Sequence, residues 1–242
     1  MGQGMTERLF LVDPRQRRMD ARVLASYPNG IVLDRTVFYA RSGGQPGDVG
    51  LLRWTHGTVR IGDTIKGEGE VILHIPELNA ALPPVGSDLT GEIDWNRRHR
   101  LMRAHTSLHL LSALLRDAAV TGGAVGLDRS RLDFDLPDPP ERAVIEAKLS
   151  ALIDADHPVS AEWVDEAVLD TDPGLVRTLS VKPPRGAGRI RLVRIGQGEP
   201  PIDLQPCGGT HVASTAEIGP VRIVKIENKG RQNRRIVVAP AE

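Results

Sequence analysis

At 242 residues, with 40% hydrophobic and 26% charged content, the chain can bury one large core or two smaller ones and has the composition of a folded protein rather than a disordered one. Lys and Arg number 31 against 31 Asp and Glu, so no overall field draws in nucleic acid and any such binding has to come from local basic clusters. A single Cys excludes an intramolecular disulfide. With no signal-peptide pattern and no run of about 18 apolar residues, the expected setting is a reducing cytoplasm without membrane attachment.

From Leu9 to about Thr90 the sequence reads as short strands broken by turns. Arg22–Ser26, Gly30–Asp34, Thr58–Gly62 and Glu70–Ile75 alternate or run apolar, and Pro28-Asn29-Gly30 signals a hairpin. The expectation is a β-rich N-terminal domain over residues 1–93. Within it, Ser42-Gly43-Gly44-Gln45-Pro46-Gly47-Asp48 describes a loop where backbone can approach a ligand and Gln45 can present an amide. The plainer reading is a turn between strands. Pro83-Pro84-Val85-Gly86 then punctuates the chain and puts the domain junction at residues 83–94.

Asp94 is a good N-cap, and the run to Arg116 is free of Gly and Pro with Leu101, Leu108, Leu111 and Leu115 at helical spacing. On that helix His105 and His109 share one face, as two metal ligands must. Alone, such a pair is more often two buried, hydrogen-bonded histidines. About a hundred residues later Cys207-Gly208-Gly209-Thr210-His211 offers sulfur and nitrogen four residues apart, with glycines where the chain must bend to aim both side chains at one point. His105, His109, Cys207 and His211 together make a donor set suited to Zn2+.

After the helix, Thr121-Gly122-Gly123-Ala124 reads as a break. Arg131–Leu136 alternates like a strand, Glu141 to about Ala155 is a second amphipathic helix, and strands are expected at Val159–Val164, Ile190–Ile195, Val221–Ile226 and Arg235–Val238. Residues 94–242 thus read as a domain of helices on an antiparallel sheet, making the chain α+β. Basic residues cluster at Arg97, Arg98, Arg100 and Arg103, where the helix macrodipole disfavours cations, and at Lys225, Lys229, Arg231, Arg234 and Arg235. Each cluster is either a solvated face or a contact for RNA phosphates; Arg98, Arg103, Lys229, Arg231 and Arg234 are the RNA-binding candidates.

Phe38-Tyr39 before Ser42–Pro46 and Asp48, Asp94-Trp95 leading to Arg103-x-His105-Thr106-x-x-His109, Arg131-x-Asp133-Phe134, Cys207–Val212, and Thr215-x-Glu217-Ile218-Gly219 occur in one order. The set resembles the alanyl-tRNA editing proteins in their medium-length form, free-standing relatives of the editing domain of alanyl-tRNA synthetase, from about Thr36 to Val238. Ala40 and Ser107 depart from the family's usual proline and alanine. The resemblance implies zinc at the four ligands and hydrolysis of the ester joining a wrong amino acid, chiefly serine with glycine second, to the acceptor end of tRNA(Ala). In it Thr106 is placed to meet a serine hydroxyl, against the simpler reading that it bonds back to the Met102 carbonyl, and Gln45 is the other candidate for the chemistry. No Glu lies between His105 and His109, so the general base of zinc peptidases is missing. The alternatives are a zinc-stabilised RNA-binding module without turnover and a deacylase for another misacylated tRNA.

Overall fold

A computed structural model describes residues 5–178, 186 and 188–241. The chain forms two compact units, Met1–Arg100 and Leu101–Glu242.

The first unit holds β1 (Glu7–Arg8), α1 (Leu9–Val12), β2 (Arg18–Tyr27), β3 (Gly30–Leu33), β4 (Arg35–Thr36), β5 (Gly50–Trp54), β6 (Gly57–Lys66), β7 (Ile72–Pro76), β8 (Asp88–Ile93) and the start of α2 (Trp95–Leu114). Strands β2-β3-β7-β6-β5-β8 close into an antiparallel barrel, and β1 pairs with β4 beside it. Met19, Ala21, Val23, Ile31, Leu33, Phe38, Leu52, Ile61, Leu89 and Ile93 fill a common core. Closure leaves no open sheet edge among the six barrel strands.

The expected hairpin forms at Pro28-Asn29, with Tyr27 opposite Gly30. Besides the two-residue strands β1 and β4, two barrel strands escaped the sequence pattern, β5 and β8, and both carry a glycine where the barrel is crowded. A Cβ at Gly50 would lie 2.1 Å from the Glu92 carbonyl oxygen, and one at Gly91 would lie 2.6 Å from Met19 Cε. Those glycines erase the apolar alternation that would have announced the strands. Because β8 closes the barrel, the Pro83–Gly86 stretch is an internal loop of the first unit. The division between the two compact units falls after Arg100, inside α2.

The second unit continues α2 and adds β9 (Ala119–Ala124), β10 (Ser130–Asp135), α3 (Arg142–Asp154), β11 (Val159–Asp165), α4 (Val168–Thr171), β12 (Arg189–Ile195), β13 (Asp203–Pro206), β14 (Val221–Asn228) and β15 (Asn233–Pro240). Its strands form two antiparallel sheets, β14-β15-β10-β9 and β11-β12-β13. Helix α3 lies against β14, where Glu146 accepts a hydrogen bond from the Ile223 amide at the irregular step of the β14–β15 ladder. This is the expected α+β arrangement.

The Thr121–Ala124 stretch is a strand, not a break. Gly123 lies opposite Leu132, whose side chain occupies the space a Cβ would need, so the glycines of β9 make room for β10. None of the helices among the described residues is long and apolar enough to cross a membrane.

Candidate metal centre

Asp94 caps α2 as the sequence predicts, its Oδ1 accepting from the Arg97 amide at 3.0 Å. The helix then delivers His105 and His109 from successive turns, and their rings meet edge-on with centroids 5.2 Å apart. The loop after β13 brings Cys207 and His211 to the same place: Cys207 Sγ lies 3.7 Å from His105 Nε2 and 3.3 Å from His211 Nε2. One ligand atom from each of His105, His109, Cys207 and His211 lies within 4.8 Å of every other, and all three imidazoles are buried.

Zn–N and Zn–S bonds of ordinary length put neighbouring donors of a tetrahedron about 3.3–3.6 Å apart. The observed sulfur–nitrogen spacings fall around that figure, so this set fits zinc after small adjustments. The charge balance points the same way. Burial opposes ionisation of the Cys207 thiol, but the charges of His105 and His211, with hydrogen bonds from His105 and His109, outweigh it and hold the thiol well below its usual range. Burial also disfavours protonated His109, yet Asp203 and Cys207 raise it to about 10, whereas His211 is lowered to about 3 by burial first and by His105 next. A thiolate at Cys207 and a neutral His211 are the ligand states a divalent cation needs, while His109 would release its Nε2 proton on binding one.

The loop is tied down by Arg191 on β12. Its Nη1 donates to the carbonyls of Cys207 at 2.8 Å and Gly209 at 3.1 Å, while the Cys207 amide donates back to the Arg191 carbonyl. The Gly209 amide points at Cys207 Sγ, 3.3 Å away. Neither Arg191 nor Asp203, whose carboxylate meets His109, stood out in the sequence. Arg191 is one of three arginines in β12, of which it alone is buried, and Asp203 is a carboxylate four residues ahead of the cysteine; neither pattern singles the residue out.

Thr106 is fully buried and its hydroxyl is committed. It donates to the Met102 carbonyl at 2.9 Å, accepts from the Val212 amide at 3.4 Å, and lies 3.1 Å from His211 Nδ1. With the donor spent on Met102, the hydroxyl accepts the Nδ1 proton of His211, which leaves Nε2 to face Cys207. The bond to the Met102 carbonyl is the one the simpler reading of the sequence expected. Gln45 is also fully buried, following a tight Gly43-Gly44 turn in which both residues have positive φ and Ser42 pairs with Gln45. That is the plain turn between strands, and Gln45 does not display its amide on the surface.

Of the basic candidates, Arg98 and Arg234 are corrected by their surroundings. Arg98 is completely buried, pairs with Asp48, and donates to the carbonyls of Pro14 and Val37. Its place near the N-terminus of α2, where the macrodipole disfavours cations, is thus explained by its partners within the first unit. Arg234, also buried, donates to the carbonyls of Gly230 and Pro137. Arg103 is partly buried, donates from Nε to the Ile218 carbonyl at 2.7 Å, and packs against Gly219, whose φ of 68° suits glycine. Lys229 and Arg231 are exposed at the β14–β15 turn.

Comparison with known proteins follows the same division. Residues 190–237 match the threonyl and alanyl tRNA synthetase second additional domain, and residues 6–97 match class II (A) tRNA synthetases. An alanine–tRNA ligase of Pyrobaculum arsenaticum is 38% identical over 92% of this chain, which spans only 25% of that ligase. An alanyl-tRNA editing protein AlaX-L of Pyrococcus horikoshii is 33% identical over 96% of the chain and 57% of its own length. An alanyl-tRNA editing protein AlaX-M of Methanosarcina acetivorans is 37% identical over 96% of this chain and 98% of its own length. With both ends of that alignment covered, the chain belongs to the alanyl-tRNA editing protein family in its AlaX-M form.

Proposed function

We propose that the protein is a cytoplasmic trans-editing hydrolase that removes serine, and secondarily glycine, from mischarged tRNA(Ala), using zinc held by His105, His109, Cys207 and His211. The observation that carries this reading is the convergence of these four donors in a chain whose relatives are named for alanyl-tRNA editing. A synthetase pocket for alanine rejects serine poorly, because a hydrophobic site excludes an added hydroxyl by only about a hundredfold. A separate hydrolytic site corrects that error.

When bound, zinc would supply Lewis acidity that polarises the ester carbonyl. The chain's own residues hold and orient it. Asp203 and Thr106 face the Nδ1 atoms of His109 and His211, so that their Nε2 atoms are offered as ligands. Arg191 fixes the bend that presents Cys207. A carboxylic ester with a ribose leaving group needs less general-base help than an amide, in keeping with the absence of Glu between His105 and His109.

The test is deacylation of a panel of misacylated tRNAs by purified protein of measured metal content. Ser-tRNA(Ala) is expected to be hydrolysed and Ala-tRNA(Ala) spared, with about one zinc per chain. His105→Ala and Cys207→Ser are expected to lose both metal and activity. Full metal and activity in both variants would refute the site. A second reading, a zinc-stabilised RNA-binding module without turnover, is favoured by one feature: the four protein donors would be enough to fill a four-coordinate zinc site. Single-turnover deacylation separates the two.

A further inference from the structure

Beyond the four donors, the second unit builds a polar scaffold behind one of them. Asp203 and Gln205 sit at alternate positions of β13, so both side chains leave the same face of that strand. The strand is held in register by β12, with Asp203 opposite Ile195 and Gln205 opposite Val193. Asp203 is fully buried, and its Oδ2 lies 2.9 Å from His109 Nδ1 and 2.7 Å from Gln205 Nε2. Its Oδ1 faces Arg177 Nη1 at 3.1 Å as an ion pair without hydrogen-bond alignment.

We propose that Asp203 is a positioning residue for the metal centre, holding His109 in the one tautomer and ring orientation that offers Nε2 to the metal, with Gln205 fixing the carboxylate by a hydrogen bond and Arg177 only balancing its charge. The proposal rests on the metal-binding reading above. An ionised carboxylate only accepts hydrogen bonds, so the proton between it and His109 sits on Nδ1. Gln205 Nε2, 3.1 Å from the same Nδ1, then directs its hydrogen to Oδ2. Arg177 balances the charge, without which a fully buried carboxylate would be costly.

The three imidazoles are therefore not equivalent. His109 is backed by an anion and His211 by the neutral hydroxyl of Thr106. A carboxylate behind a ligating histidine raises its basicity and locks its ring, and loss of such a partner typically weakens metal binding about 10–100-fold.

The experiment uses the full chain. Zinc affinity is measured by competition with a chromophoric chelator for the parent, Asp203→Asn, Asp203→Leu and Arg177→Met, alongside visible spectra of the cobalt-loaded proteins and thermal unfolding of the metal-free ones. The expected order of zinc affinity is parent above Asn above Leu, the Leu variant falling by about 10–100-fold. The cobalt d–d bands should shift while the thiolate-to-cobalt charge-transfer band persists. Arg177→Met keeps the bond between His109 and Asp203, and should lower metal-free stability without a comparable loss of zinc affinity. Unchanged affinity and spectra in both Asp203 variants, or the same affinity loss in Arg177→Met, would make Asp203 a purely structural residue and overturn the proposal. A parent protein that binds neither zinc nor cobalt would overturn the metal reading itself, a distinct result.

Discussion

Arg98 and Asp48 form a fully buried ion pair inside the first unit, with Arg98 Nε donating to Asp48 Oδ2 at 2.8 Å while the Tyr39 amide donates to the same oxygen at 2.7 Å. The pair ties the start of α2 to the segment around the Gly43-Gly44 turn. Breaking such a pair leaves one charge buried and uncompensated, which costs about 3–5 kcal/mol, whereas replacing both partners by apolar residues is often far cheaper. Arg98→Met or Asp48→Leu alone is therefore expected to lower the unfolding free energy by about that amount, and the double variant by less than the sum. Additive losses in urea unfolding would show that the two residues act independently.

The Thr106 hydroxyl lies 3.1 Å from His211 Nδ1, so a supporting role for that imidazole can be tested against the reading of a serine hydroxyl. Thr106→Val keeps the shape but leaves the His211 Nδ1–H and the Val212 amide without their acceptor, a loss of about 1–3 kcal/mol in a buried site. Weaker zinc retention is expected, with the ratio of seryl to alanyl deacylation rates unchanged at saturating metal. A ratio that collapses while zinc stays bound would return Thr106 to the discriminating role.

Much of this centre was legible in the sequence because its ligands come as two short-range pairs, each set by local geometry: one helical turn for His105 and His109, one glycine bend for Cys207 and His211. The supporting residues were not, since Asp203, Gln205, Arg177 and Arg191 acquire their roles from strand pairing and from partners up to about a hundred residues distant in the chain. The same distinction explains the basic residues. Charge density is visible in a sequence, but whether a guanidinium such as Arg98 or Arg234 is spent on buried carboxylates and carbonyls depends on the fold. In the barrel, the continuous apolar run of β3 and the alternation of β7 could be read directly. The glycine-bearing β5 and β8 could not, because their pattern is dictated by what the neighbouring strands press against them.

His74 gives the first unit a pH dependence of its own. Its ring is fully buried; Nδ1 donates to the Ile31 carbonyl at 3.0 Å, and Nε2 accepts from the Thr36 hydroxyl at 2.7 Å, which in turn accepts from the Phe38 amide. Burial pushes its pKa down to about 4 from 6.5, against the raising effect of the Ile31 bond. The unfolded chain thus binds a proton between these values that the folded chain refuses. The contribution is complete above pH 6.5, falls as the pH drops toward 4, and changes no further below that. The whole effect is about 3 kcal/mol at one pKa unit per 1.4 kcal/mol. His74→Gln should be less stable than the parent at pH 7 yet lose less stability from pH 7 to pH 4. Parallel stability curves for the two proteins would place the acid sensitivity elsewhere.

Lys229 and Arg231 flank Gly230 in the turn between β14 and β15, and among the five basic residues assigned to RNA from the sequence they are the exposed ones. Lys229 stands 3.8 Å from Glu227, a solvent-facing pair that binds it only weakly and leaves it able to exchange that carboxylate for a phosphate. Each phosphate that a cation neutralises releases a counterion, so removing the cation appears as a shallower dependence of affinity on salt. Replacing both residues by Ala is expected to weaken tRNA binding and flatten the plot of log affinity against log salt by roughly one unit for each phosphate left without its cation, with zinc content and melting temperature unchanged. Arg234→Ala should do the reverse. It removes the donor to the Gly230 and Pro137 carbonyls and so destabilises the fold at the base of the turn, while the salt slope of the protein that remains folded stays that of the parent. An unaltered slope in the Lys229 and Arg231 double variant would make the turn a solvated charged face and assign the phosphates to another surface of the chain.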